Sequence, residues 1–364
     1  MTPRSRRRSF VVLIGIVATW VGAGAVIDAH EIGTTRVTVR FPAADTYTVD
    51  IATDGLALLE KLETIAGHPS TGTLDARFAS LEPAFRDRVH LTFDGHASHP
   101  QVRATFTPPG DDLSPPKATI RLTGTVPASA NQIAWTYGWT FASYAFSVEN
   151  ANGDTATQWL DGNQSSTPLP LDQALPRPGP LEVSLQYLHL GFTHIVPLGL
   201  DHILFVLGLF LLSTTWRALL WQVSAFTVAH TISLGLAANG LVAARPSLVE
   251  PLIAVSIAYV AVENVMLRDL KPWRVALVFG FGLLHGLGFA GVLSELGLPR
   301  GQFATALVAF NLGVEGGQLF VVLAATAAVG WWRSASFYRE RVVIPASLAI
   351  AVIAMYWTVQ RLGY

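Results

Sequence analysis

Two periodicities divide the chain. Between residues 30 and 165 apolar and polar positions alternate in short runs. Val37, Val39 and Phe41 fall on one strand face, as do Tyr47, Val49 and Ile51, and Val89-Leu91-Phe93, Val102-Ala104-Phe106 and Ala118-Ile120-Leu122 repeat the pattern. Period-two alternation punctuated by turn residues predicts half-buried strands, here a β-sandwich-like domain. The stretch TLDARFASLEPAF interrupts it and predicts a short helix, while Trp135, Tyr137, Trp139, Phe141, Tyr144 and Phe146 read as core and edge aromatics. Residues 166–186 are proline-rich and predict a linker. From 187 to 364 the alternation gives way to apolar runs at 187–212, 217–239, 247–267, 274–296, 303–330 and 342–361. Crossing a bilayer takes about 20 residues, so the pattern predicts a transmembrane α-helical bundle of about six helices with the lipid bilayer around it.

The N-terminus adds a direction. Arg4, Arg6, Arg7 and Arg8 precede an apolar run from Phe10 to about Ala25, and Ala23-Gly24-Ala25 or Ala29 offers a small-residue cleavage point. This is the form of a secretory signal peptide over residues 1–29, with the following domain outside the cytoplasm. The first membrane helix then runs inward. Arg217, Arg268, Lys271, Arg274, Arg333, Arg339 and Arg341 fall on the cytoplasmic side, and Arg245, Arg300 and Arg361 on the outer side. That distribution obeys the positive-inside rule.

Composition narrows the chemistry. Charged residues make up 13% of the chain against 51% hydrophobic, where a soluble protein carries about 25% charge. A net charge of −1 supplies no basic field for nucleic acid. With no cysteine and three methionines, disulfides and thiolate cages are excluded, which leaves His, Asp, Glu and Asn as metal ligands.

Those residues lie inside the apolar runs, where ionisable groups are costly and mark sites or pathways. The first run holds His194, Asp201 and His202; the second, His230; the third, Glu250, Glu263 and Asn264; the fourth, His285; the fifth, Asn311, Glu315 and Gln318. Counting at about 1.5 Å per residue brings Asp201, His202, His230, His285, Asn311 and Glu315 to the middle of the bilayer. His194 and Asp201 would be about 10 Å apart along an unbroken helix. His194 is therefore expected as an outer station above a central Asp201-His202 pair, unless Pro197, which removes an amide donor, breaks the helix. The second, fourth and fifth runs would complete a metal site with His230, His285, Asn311 and Glu315, with Glu250, Glu263, Asn264 and Gln318 as supporting partners or a proton path. The alternative is a hydrogen-bonded network that only holds the helices together. Gly280, Gly282, Gly286, Gly288, Gly291, Gly313, Gly316 and Gly317 read as close-packing positions.

Outside the membrane, His90, His96 and His99 beside Asp94 form a His-x-x-His loop that reads either as a metal trap or as a polar surface turn. His30 would become a chelating N-terminal residue if cleavage followed Ala29.

The stretches AHEIGTTRV, GFTHIVPLGLDHILFVLGLFLL, AFTVAHTISL, VEPLIAVSIAYVAVEN, FGLLHGLGFAGVL and FNLGVEGGQL resemble the HupE/UreJ family of nickel/cobalt permease-like membrane proteins, in its larger branch with an N-terminal extracytoplasmic domain. Smaller members carry His-Pro-x-x-Gly-x-Asp-His; Asp201 and His202 match its Asp-His, while His194 lies one residue further upstream. The resemblance implies a transporter rather than an enzyme in a bacterial inner membrane, its N-terminal domain in the periplasm. The implied substrate is nickel or cobalt, with zinc, copper and iron left open. Neither a P-loop nor H-E-x-x-H is present. A membrane-anchored metal-binding or assembly factor, with a periplasmic partner on the N-terminal domain, stays open, as does an intramembrane metalloenzyme.

Overall fold

A computed structural model describes residues 35–43, 45–107, 116–140, 143–149, 155–171, 179–213, 215–242, 245–296 and 302–362. The expected signal peptide and His30 lie outside these residues.

The N-terminal region is strand-rich. In chain order it runs β1 (Arg36–Ala43), β2 (Thr46–Asp54), α1 (Gly55–Ala66), α2 (Leu74–Arg86), β3 (Val89–Phe93), β4 (His96–Ala97), β5 (Gln101–Thr107), β6 (Lys117–Thr125), β7 (Gln132–Tyr137), β8 (Ser143–Glu149), β9 (Thr155–Asp161) and β10 (Leu169–Pro170). One sheet has the order β5-β6-β2-β1-β8-β9 and the other β10-β7-β3-β4. All pairings are antiparallel except β1 with β8. The alternating apolar positions of both sheets, such as Val37, Val39, Val49 and Ile51 against Leu91, Ile133 and Trp135, feed one buried core. Within it the Trp135 and Phe146 rings are stacked 6.0 Å apart.

Helix α2 occupies the stretch expected to be helical, with Thr73 as its N-cap. Helix α1 was not expected. Leu58, Leu59 and Leu62 nevertheless form a buried stripe at helical spacing, and Gly67 in the left-handed region (φ 75°) ends it. The Asp54 side chain accepts from the Leu56 and Ala57 amides at 2.9 Å, a cap contributing about 1 kcal/mol.

The C-terminal region is helical: α3 (Pro180–Ile195), α4 (Leu200–Leu212), α5 (Trp216–Ala238), α6 (Pro246–Met266), α7 (Arg274–Leu296), α8 (Phe303–Val329) and α9 (Ile344–Leu362). The expected single helix over 187–212 is instead two helices bent by 71°, and the first begins at Pro180, where Pro fits the opening turn. Three spans are long and apolar enough to cross a membrane as the continuous runs α5, α6 and α8 with its extension to Trp332. Arg339–Leu362, which contains α9, is a fourth, and the bent α3–α4 pair makes a fifth. Helix α7 is apolar over the shorter stretch Arg274–Phe289.

Burial is inverted relative to a water-soluble bundle. Val228, Val255, Leu312, Phe320, Leu323 and Val352 are exposed, whereas His194, His202, His230, His285, Asn311, Gln318, Glu263 and Arg274 are buried. Apolar residues outside and polar residues inside are what a hydrocarbon solvent selects. The principal helix pairings are α5 with α7, α3 with α8, and α6 with α9, and α4 lies against both α6 and α8. Glycines permit the first two. A Cβ on Gly191 would sit 1.8 Å from the Phe310 carbonyl oxygen, and one on Gly313 2.1 Å from that of Leu188. Two arginines close helix ends: Arg333 donates to the Phe210 carbonyl of α4 at 2.8 Å, and Arg339 to the carbonyls of Val265 in α6 and of its C-cap Leu267 at 2.8 and 2.7 Å. They satisfy carbonyls that a helix leaves unpaired.

Candidate metal centre

The break between α3 and α4 builds the site. Pro197 has no amide hydrogen to continue α3. At Gly199 a Cβ would lie 2.2 Å from the His194 carbonyl oxygen, so only glycine lets the chain turn back this tightly. His194 in the last turn of α3 and His202 in the first turns of α4 are thereby folded toward each other, their ring centroids 4.8 Å apart. An unbroken helix would hold them more than 10 Å apart. His230, from the middle of α5, completes the group at 6.1 Å from His194 and 5.9 Å from His202, centroid to centroid. One ring nitrogen from each of the three lies within 4.8 Å of the others, and all three residues are buried. No other group of three His, Asp or Glu residues converges in this way among the described residues.

The ring nitrogens leave the cluster open to a ligand. His194 Nδ1 and Nε2, His202 Nε2 and His230 Nε2 are buried with no hydrogen-bond partner. Each such atom costs about 1–3 kcal/mol while nothing pairs with it. Tetrahedral coordination at about 2.0–2.1 Å would bring the nitrogens to about 3.4 Å from one another.

Asn311 orients one of these rings. Its Nδ2 donates to the Leu307 carbonyl at 2.8 Å, so its Oδ1 faces His230 Nδ1 at 3.0 Å. An amide oxygen only accepts, so Nδ1 carries the proton and Nε2 keeps its lone pair for a ligand. The same reasoning applies to His285. Ser256 Oγ gives its only proton to the Ile253 carbonyl at 2.7 Å and accepts from His285 Nε2 at 3.1 Å. His285 Nδ1 is then unprotonated, buried and unpartnered, and the ring lies 5.0 Å from that of His202. Phe289 (4.2 Å from His194), Phe226 (5.7 Å from His202) and Phe310 (6.4 Å from His230) wall the cluster with aromatic rings.

The other expected residues fall elsewhere. His194 is part of the central group rather than an outer station. Asp201, expected beside His202, points to Arg361, whose Nη2 donates to both carboxylate oxygens at 3.1 and 2.9 Å. Consecutive residues on a helix diverge by about 100°, which is why Asp201 and His202 face different neighbours. Glu315 accepts from Ser224 Oγ at 2.7 Å, and Gln318 Oε1 accepts from Thr227 Oγ1 at 3.1 Å. Glu263 and Asn264 belong to a separate cluster with the buried Arg274: Nη1 lies 3.1 Å from Glu263, and Nη2 donates to Asn264 Oδ1 at 3.1 Å. The Glu250 carbonyl accepts from Arg361 at 3.2 Å.

In the N-terminal region His90, His96 and His99 are exposed. The Asp94 carboxylate accepts from the Asn131 and Gln132 amides at 3.0 Å each. Asp94 (φ 49°) and Gly95 (φ 80°) form the tight turn between β3 and β4, with the Asp-Gly dipeptide such turns favour.

Sequence reasoning missed Ser256, Arg361 and Arg274. In the residue order the two arginines look like flanking charges, because a position near the end of an apolar run does not reveal which way its side chain turns.

A family model described as HupE / UreJ protein matches residues 173–361. No curated protein and no solved structure matches the chain. The matched segment covers the bent helix pair, every residue of the histidine cluster and the helices that position them. The chain belongs to the HupE / UreJ family, as a multi-pass membrane protein with a strand-rich N-terminal region.

Proposed function

We propose that this protein moves a divalent transition-metal ion, nickel or cobalt, across the membrane, with His194, His202 and His230 as its intramembrane binding site. The observation that carries this reading is the convergence of three buried histidines from three helices with unpaired ring nitrogens. Family membership supports a role related to nickel or cobalt handling.

Neutral imidazoles suit Ni(II), Co(II) and Zn(II). A transport site has to release what it binds, and a cluster that must contract to coordinate holds its ion less tightly than a preformed cage. His285 adds a further unprotonated nitrogen beside His202. Toward the cytoplasmic side, Thr227 with Gln318 and Ser224 with Glu315 supply a polar ladder along the α5–α8 interface. The signal peptide over 1–29, a periplasmic position for residues 30–165 and a bacterial inner-membrane location complete the proposal. The N-terminal region would then face the side from which the ion enters.

Uptake of radioactive nickel by cells expressing the protein tests this reading. His202→Ala and His230→Ala are expected to abolish accumulation while the proteins still reach the membrane. Wild-type uptake in both variants would sink the proposal. Competition by cobalt, zinc, copper and iron identifies the preferred ion.

A further inference from the structure

The three histidines bring no negative charge to a buried divalent ion, and uncompensated charge in a low-dielectric interior is expensive. The carboxylate adjacent in sequence to one of them, Asp201, is held by Arg361 through both oxygens. Arg361 is itself pinned. It donates to the Glu250 carbonyl at 3.2 Å, its guanidinium lies 5.4 Å from the Trp357 ring centroid, and its side chain is 8% exposed against 19% for Asp201. This one residue near the end of α9 therefore ties together α4, α6 and α9.

Asp201 sits in the first turn of α4, one residue before His202. The backbone of that turn is held by the Gly199 carbonyl, which accepts from the Ile203 amide at 2.9 Å, so an exchange of partners by Asp201 has to come from its side chain, with His202 left in place.

We propose that Arg361 is a built-in rival of the metal for Asp201: it holds the carboxylate when the histidine centre is empty and yields it when an ion arrives. Asp201 then adds a negatively charged oxygen ligand beside the imidazoles, while Arg361 keeps its contacts with Glu250 and Trp357. Competition from a tethered cation lowers the affinity of the centre and speeds release. Arg361 is thus a positioning residue that sets how tightly a transported ion is held. This inference rests on the metal centre proposed above.

Titration of purified full-length protein in detergent with Ni(II) and Co(II) tests it. Arg361→Gln is expected to bind at least about tenfold more tightly than wild type, or about 1.4 kcal/mol, and Arg361→Lys to lie between the two. Asp201→Asn should bind more weakly, and Arg361→Gln combined with Asp201→Asn should match Asp201→Asn alone, because the rivalry needs the carboxylate. X-ray absorption of the Ni(II)-loaded wild type should show a carboxylate oxygen that is missing from loaded Asp201→Asn, a comparison that holds even if Arg361→Gln does not fold. Unchanged or weaker affinity in well-folded Arg361→Gln overturns the proposal, as do identical first coordination shells in wild type and Asp201→Asn. Those outcomes leave a histidine-bound metal intact, whereas failure of the wild type to bind either ion refutes the metal centre itself.

Discussion

Asn311 holds the imidazole of His230 in a single tautomer. The asparagine amide is fixed by its bond to the Leu307 carbonyl, so its oxygen alone faces His230 Nδ1, at 3.0 Å, and Nε2 is left as the free lone pair directed to the cluster. Histidine ligands depend on such outer partners, whose loss typically costs 10–100-fold in metal affinity.

Asn311→Ala should therefore weaken Ni(II) binding by about 10–100-fold without lowering the number of ions bound. Asn311→Asp, which keeps an acceptor at the same place, should retain most of the affinity. Calorimetric titration of the two purified variants checks this, and equal losses in both would mean that the hydrogen bond is not what matters.

The histidines should not be equivalent. His194, His202 and His230 place a nitrogen in the converging group and His285 does not, so removing any of the first three should abolish high-affinity binding. His285→Ala should reduce it by a smaller factor. Equilibrium dialysis with radioactive nickel ranks the four variants, and complete loss in His285→Ala would make it a full ligand.

Close packing of α7 on α5 positions His230. A Cβ on Gly286 would lie 2.5 Å from the His230 carbonyl oxygen and 2.2 Å from Ser233 Oγ, whereas one on Gly280 meets nothing within 4 Å. Gly286→Ala should cost about 1–3 kcal/mol through overpacking and weaken metal binding by displacing α5. Gly280→Ala should do neither. Thermal melts and metal titrations of the pair provide the comparison.

In the strand-rich region, Glu63 accepts from the Ser70 hydroxyl and backbone amide and pairs with Arg77 at 2.8 Å. These bonds, the Ser70 hydroxyl first, lower its carboxyl from an ordinary 4.5 to about 2. A depressed folded-state value stabilises the protein above the unfolded value, and the contribution is lost as pH falls through the folded one. Glu63→Gln should thus lower the melting temperature at pH 7, with the gap to wild type narrowing from pH 4.5 towards 2. Tryptophan-fluorescence melts across that range read it out; a gap independent of pH would contradict the assignment.

Much of this architecture is legible in the residue order because solvent imposes it locally. Alternation of Val37, Val39, Val49 and Ile51 marks strand faces whatever their partners, and long apolar runs mark helices that lipid can surround. Helix α1 was legible too, in the spacing of Leu58, Leu59 and Leu62 between Asp54 and Gly67, but it lies among strand patterns that obscure it. Histidines inside apolar runs announced a costly and therefore purposeful cluster, and Gly282, Gly286, Gly288, Gly313 and Gly317 mark close approach as expected, whereas Gly280 packs against nothing.

Side-chain direction required the fold. His194 and His202 meet only because the chain turns at Pro197 and Gly199, and a one-dimensional spacing of eight residues reads as a separation until that turn is known. Asp201 and Arg361 are 160 positions apart, and nothing local indicates that the aspartate faces the last helix rather than its histidine neighbour. Ser256 and Asn311 acquire their roles as orienting partners of His285 and His230 only when α6 packs on α7 and α5 on α8. Hydrophobic patterning is a property of each segment in its solvent, so the sequence determined the elements and the kinds of group they bury. Coordination and charge pairing depend on distances of a few ångströms between segments, and only tertiary packing decided those.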